Sequence, residues 1–287
     1  MKTDILGRIK QDFQGYSKGQ KLIATFILEN YDKAAYMTAA KMGSLVGVSE
    51  STVVRFAGEL GYSGYPEFQR SLQEVIRSKL TSVQRIQVTN SRIGDGDVLE
   101  SVLSADAEKI RRTLECVDRN SFAQAVDKIV GAKNIYIIGV RSCSSLAGFL
   151  NFNLRLIFNN VHFVQTTSGS EMFEQLMHMG EGDVMIAISF PRYSKRIINA
   201  VEYARSVGAD VIALTDSHSS PIAEYADQLL TAQSDMASFV DSLVAPLSII
   251  NAIIVGVSRV KGDEISRQLE KLEGIWDEYE VYDKSGK

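Results

Sequence analysis

Two short segments combine hydroxyl, thiol and guanidinium groups in a pattern suited to holding a small anion. The first, Gly139-Val-Arg-Ser-Cys-Ser-Ser145, sets Arg141 beside Ser142, Cys143 and Ser144. The second, Ser189-Phe-Pro-Arg-Tyr-Ser-Lys-Arg196, sets Ser189 and Ser194 around Arg192 and Tyr193. Each follows an apolar run that reads as a strand and leads into a helical pattern, so backbone N–H groups of a helix start would add to the side-chain donors. A phosphate held there would gain hydroxyl donors and a bidentate guanidinium. Serines also cap helices and basic residues also sit in water, but two such loops at neighbouring strand ends favour an anionic small-molecule site.

A third segment, Met37 to Leu60, reads as two short helices joined by a tight turn. Thr38 is placed to cap the first helix, and Met42, Leu45 and Val46 give it an apolar face. Gly47 can take the left-handed conformation that the corner requires, and Ser49 restarts the chain as an N-cap. Val53, Phe56 and Leu60 then point inward at helical spacing, which leaves Glu50, Ser51, Thr52 and Arg55 outward. Short hydroxyl side chains followed by an arginine suit a helix entering a DNA major groove N-terminus first. An ordinary solvated face would more often carry Lys and Glu four residues apart. The expected DNA-facing set is therefore Thr38, Ser49, Glu50, Ser51, Thr52 and Arg55. Gly43 replaces an alanine common at that point and is expected to weaken the helix slightly without altering the corner.

The charge distribution agrees with this division of labour. The whole chain carries a net −4. Residues 1–80 hold eleven Lys and Arg against eight Asp and Glu, a net of +3, and residues 81–287 hold twenty against twenty-seven, a net of −7. So small a basic surplus makes one copy a weak, salt-sensitive binder, and a homodimer or homotetramer on double-stranded operator DNA is expected.

The elements that must position these residues fall into two parts. Residues 1–80 read as a compact helical domain: Ser17 opens a helix striped by Leu22, Ile23, Phe26 and Ile27, and Pro66 begins another with Phe68, Leu72, Val75 and Ile76 buried. Tyr62 and Tyr65 read as packing residues whose hydroxyls could reach phosphate. Residues 81–97 are polar, lack a clear period and are read as a linker. Residues 98–287 alternate Ile/Val-rich runs with helical segments, the pattern of an α/β parallel sheet. Strands are expected at 134–140, 161–165, 183–190, 210–216 and 228–232, and helices near Ser144, Ser168, Ser194 and Pro221, with a long helical pair after 235. The ligand of such a sheet sits at the carboxyl ends of its strands.

Other classes find less support. The most apolar run, Val244 to Val257, spans fourteen residues, contains Pro246 and reads as a buried helix rather than a membrane span. Charged residues recur through the first twelve positions, which does not fit a secretory leader, so a cytoplasmic location is expected. Cys116 and Cys143 form neither a disulfide framework nor a metal set.

The phrase VGVSESTVVRFAGELGYSGYPEFQ together with IALTDSHSSPIAEYAD, Ile212 to Asp227, resembles transcriptional regulators of the RpiR family over nearly the whole chain. The resemblance implies a helix-turn-helix domain followed by a flavodoxin-like five-stranded SIS domain. It also implies a phosphorylated sugar or related anionic effector, no cofactor, and control of carbohydrate-catabolism genes. In the family the phosphate is held by Gly-x-Gly-x-Ser and Ser-x-Ser-Gly-x-Thr loops. Gly139 matches the first glycine, Cys143 the serine, and Ser189 and Ser194 the outer serine and the threonine. Arg141, Pro191 and Arg192 depart from the pattern, replacing a glycine, a serine and a glycine, so the anion is expected to be held differently, with its phosphate displaced or a carboxylate present. The same domain catalyses aldose–ketose isomerisation in other proteins. Glu171 and His218 are the residues that could move the proton here, and a first-turn carboxylate and a polar-turn histidine explain both without catalysis.

Overall fold

The computed structural model describes residues 5–77, 80–94, 96–165, 168–235 and 237–282, with the side chains of 74–77, 91 and 92 excepted. The chain forms two compact units, one of Met1–Leu103 with Asp235–Asp241, the other of Ser104–Ser234 with Ser242–Lys287.

The first unit is helical: α1 (Ile5–Gln11), α2 (Lys18–Glu29), α3 (Tyr31–Ala34), α4 (Ala39–Val46), α5 (Glu50–Glu59), α6 (Tyr65–Arg77) and α7 (Ser82–Ile93). Local chemistry starts and stops them. Ser17 and Gln20 close a capping box on α2, and the Thr38 and Ser49 hydroxyls accept from the Lys41 and Thr52 N–H groups to cap α4 and α5. Gly47 ends α4 with φ 76°. Val53, Phe56 and Leu60 are buried as expected, with Met42, Ile23, Ile27, Phe68 and Leu72. Leu22 and Leu45 are not; they lie exposed beside Lys18 and Lys21 along a groove between α2 and α4. Val75 and Ile76 lie outside the residues whose side chains are described.

Gly43 proves to be more than a tolerated weakness. A Cβ there would meet the Val48 carbonyl oxygen at 2.8 Å, so glycine lets α4 close against the start of α5. Tyr62 and Tyr65 are packing residues: Tyr65 Oη donates to the Met37 carbonyl at 2.7 Å, and the Tyr62 and Ser71 hydroxyls are 3.1 Å apart.

The stretch 81–97, expected as an irregular linker, instead carries α7, opened by a Thr81–Gln84 capping box. Its period is hidden because its buried side chains, Arg85 and Thr89, are polar. Arg85 is 1% exposed, and its Nη1 donates to Asp241 Oδ1 at 2.9 Å. That bond ties the 235–241 segment to the helical unit, although it is distant in sequence.

The second unit contains most of α8 (Val98–Cys116), then α9 (Arg119–Gly131), β1 (Ile135–Gly139), α10 (Ser142–Arg155), β2 (Val161–Val164), α11 (Gly169–Leu176), β3 (Val184–Ile188), α12 (Lys195–Ser206), β4 (Asp210–Thr215), β5 (Gln228–Thr231) and α13 (Val244–Glu278). All five expected strands form one parallel sheet in the order β2-β1-β3-β4-β5. Alternate strand residues enter opposite cores: Ile135, Ile137, Ile186 and Ile212 with α9, α10 and α13, and Tyr136, Ile138, Met185 and Val211 with α11 and α12.

No α-helix follows Pro221; the chain makes only a short 3-10 turn, Ala223–Tyr225. Asp227 explains the brevity, because its N–H donates to the Val211 carbonyl and its carboxylate accepts from the Val211 N–H, returning the chain directly to β4. The expected helical pair is α13, interrupted at Gly262 (φ 37°, ψ −106°). By length and hydropathy α13 could cross a membrane. Its Ala245, Pro246, Ile249, Ile250, Ile253 and Val257 are buried, however, all but Ala245 and Pro246 in the sheet core.

Candidate DNA-reading helix and effector site

On α5 the outward face expected from the sequence is exposed. Glu50, Ser51 and Arg55 face water and Thr52 is half-buried. Ser49 is the hub of this end, with its Oγ 2.9 Å from Ser51 Oγ and 2.8 Å from Thr52 Oγ1. Arg55 Nε donates to the Ser51 carbonyl at 3.2 Å, which holds the guanidinium against the first turn of the helix. Two of the six expected residues, Thr38 and Ser49, thus serve as helix caps. A capping hydroxyl can also face a phosphate.

The sheet order puts a topological switch point between β1 and β3, which carry helices away to opposite faces of the sheet. A crevice opens at the carboxyl ends of such a pair. Both anion-suited loops begin there, since Gly139 and Ile188 end these strands side by side. After β1 the turn into α10 is tight enough that a Cβ on Gly139 would lie 2.6 Å from the Cys143 carbonyl oxygen. Arg141 follows with φ 57° and ψ −128°. Ser142 is exposed and Ser144 half-buried, while Cys143 is buried in the core beneath them.

After β3, Ser189 is buried, its N–H bonded to the Leu214 carbonyl at 3.1 Å, and Arg192 has φ 68°. Ser194 caps α12 through the Arg196 N–H. Tyr193 Oη donates to Asp216 Oδ1 at 2.8 Å, pinning this loop to the end of β4. Asp216 was not among the expected site residues. Its position directly after the β4 run, inside IALTDSHSSPIAEYAD, was the available signal.

Arg141 and Arg192 therefore occupy backbone conformations that glycine enters freely and other residues enter at about 1–3 kcal/mol. At both points where the sequence departs from a glycine pattern, the chain keeps a positive-φ backbone and adds a guanidinium. Neither guanidinium has a hydrogen-bond or ion-pair partner among the described residues. Thr167, before the Ser168 cap of α11, lies outside the described residues. Glu171 occupies the first turn of α11, its N–H donating to Ser168 Oγ, and His218 is exposed between β4 and β5. No group of three or more His, Cys, Asp and Glu able to hold a metal ion occurs among the described residues.

Comparison with known proteins accounts for both parts. Residues 3–79 match the helix-turn-helix domain of the rpiR family, and residues 128–256 match the SIS domain. The transcriptional regulator HexR of Escherichia coli is 26% identical over 282 residues, covering 94% of this chain and 93% of its own. HexR of Pseudomonas aeruginosa is 24% identical, covering 94% of each. Among solved structures, Vibrio vulnificus NanR complexed with ManNAc-6P shares the fold over 96% of this chain and 98% of its own, with a TM-score of 0.59 at 22% identity. The sugar isomerase domain of an RpiR transcription factor from Sphaerobacter thermophilus covers 60% of this chain and 96% of its own, with a TM-score of 0.58 at 25% identity. These sequence relatives are named as regulators rather than isomerases, and the protein is a transcriptional regulator of the RpiR family, with an rpiR-type helix-turn-helix domain followed by a SIS domain.

Proposed function

We propose that this regulator reads operator DNA with the exposed face of α5 and answers to a sugar phosphate held at the carboxyl ends of β1 and β3. The observation that carries the reading is the convergence of Arg141, Ser142 and Ser144 with Ser189, Arg192, Tyr193 and Ser194 at the switch point of the sheet. NanR, which shares the fold, is complexed with a phosphorylated amino sugar. Cys143 belongs to the same turn and shapes it from below.

The working form is a cytoplasmic homodimer or homotetramer. Leu103, Ile110 and Leu114 are exposed along one stripe of α8, and Val255 is exposed on α13, giving apolar area for a subunit contact. Two-fold symmetry then calls for a pseudo-palindromic operator. An effector that prefers one spacing of the reading heads must change DNA affinity by the factor by which DNA changes effector affinity. Control of carbohydrate-catabolism genes follows from an effector drawn from that metabolism.

The test is binding of the purified protein to DNA upstream of its own gene, against scrambled DNA of equal length, with and without a phosphosugar panel. A preference of about a thousandfold for the native fragment, shifted by one sugar, supports the reading. No preference under any condition overturns it. Arg55→Ala is expected to relax base specificity and cost roughly 1–3 kcal/mol of binding, whereas a uniform loss across sequences would make Arg55 a phosphate contact.

A further inference from the structure

Among the described residues, three that are not glycine have positive φ, and two of them are Arg141 and Arg192. Both lie on the loops that leave adjacent strands, and neither makes a hydrogen bond or ion pair among the described residues that would explain its place. A solvated guanidinium needs no such backbone. A neighbouring loop position would hold it without strain, and glycine would serve the turn at either point. What these two positions retain is the side chain itself, at the expense of the local conformation, which is how functional sites store strain.

The charge count decides what the side chains are for. The two loops carry Arg141, Arg192, Lys195 and Arg196, all exposed, and Tyr193 is already committed to Asp216. A phosphate monoester brings at most two negative charges, and the serine hydroxyls with the backbone N–H groups of the turns are donors enough for one such group. Two planar forks on the loops of adjacent strands, each with five N–H donors, are suited to a second oxyanion.

We infer that the effector carries two separate acid groups, a phosphate and either a carboxylate or a second phosphate, with Arg141 and Arg192 selecting the second. The inference rests on the strand-end loops being the effector site, so the experiment must separate the two ideas. Calorimetric titration of the full-length protein with glucose 6-phosphate, 6-phosphogluconate, fructose 1,6-bisphosphate and gluconate does so. At least one of the two-acid phosphates is expected to bind about tenfold or more tighter than glucose 6-phosphate. Whichever of them binds tighter tells carboxylate from second phosphate. In Arg141→Gly and Arg192→Gly that advantage is expected to fall to about twofold or less, while the melting temperature stays level or rises by a few degrees as the strain is released.

Equal binding of glucose 6-phosphate and both two-acid ligands overturns the inference and leaves the effector site standing. An Arg→Gly loss shared equally by every phosphate also overturns it, assigning the guanidinium to the common phosphate. Failure of all four ligands overturns the inference and the effector site together.

Discussion

Arg85 and the pair Arg141 and Arg192 show two uses of one side chain. Arg85 sits on regular helix, is almost wholly buried, and spends its charge on Asp241 inside the helical unit. Arg141 and Arg192 sit on strained backbone, are exposed, and spend theirs on nothing among the described residues. The first arrangement shapes the fold, because a buried guanidinium fixes the partner that must accompany it. The second costs about 1–3 kcal/mol of backbone strain at each position and fits the effector role proposed for these two loops. Burial with a partner marks architecture; exposure on positive-φ backbone, at two adjacent strand ends, is what the proposed site rests on.

That contrast can be broken most forcefully at Asp241. Asp241→Asn keeps the volume and removes the countercharge of a buried cation, so the unfolding free energy is expected to fall by about 3–5 kcal/mol in a denaturant titration. A loss below about 1 kcal/mol would show Arg85 to be held by its other contacts. Next in size is the corner of the DNA-reading domain, where the backbone demand is met by glycine rather than overridden. Gly43→Ala gains helix propensity of about 1 kcal/mol but drives a Cβ towards the Val48 carbonyl, and a net loss of about 1–2 kcal/mol is expected. Higher stability in that variant would mean that the corner relaxes freely.

The strain at the two strand-end loops can be isolated by comparing two variants at one position. Arg141→Ala removes the guanidinium and keeps the Cβ, so stability should hardly change, whereas Arg141→Gly should gain about 1 kcal/mol. Equal melting temperatures for the two would remove backbone strain from the argument. The smallest effect is alkaline. Burial pushes the Tyr65 phenol up to about 12, from an ordinary value of 10.0. The unfolded chain releases that proton first, so this contribution is intact below pH 10 and is lost as pH rises from 10 towards 12. Tyr65→Phe should flatten stability across that window in pH-dependent unfolding, after losing the bond to the Met37 carbonyl at every lower pH.

Much of this molecule is written locally. The central strands β1, β3 and β4 were legible because each holds a contiguous apolar run buried on both faces, and the edge strands β2 and β5 because shorter apolar stretches recur between helical segments. The helix-turn-helix corner was legible because capping by Thr38 and Ser49 and the left-handed turn at Gly47 depend on residues within a few positions of one another. α7 was not, because its buried side chains are the polar Arg85 and Thr89, and Arg85 pairs with Asp241, 156 positions away. The role of Gly43 was hidden for a related reason: the atom its Cβ would strike belongs to the next turn of chain, brought close by the corner.

The sequence by itself determined the five strands, the caps of α4 and α5, the outward face of α5 and the side-chain chemistry of the two loops, since each depends on side-chain type and short spacing. The tertiary structure decided which strands are neighbours, and so that Arg141 and Arg192 share one end of the sheet. It also decided that both arginines hold positive φ, because a non-glycine residue enters that region only when the surrounding fold leaves no other path for the chain.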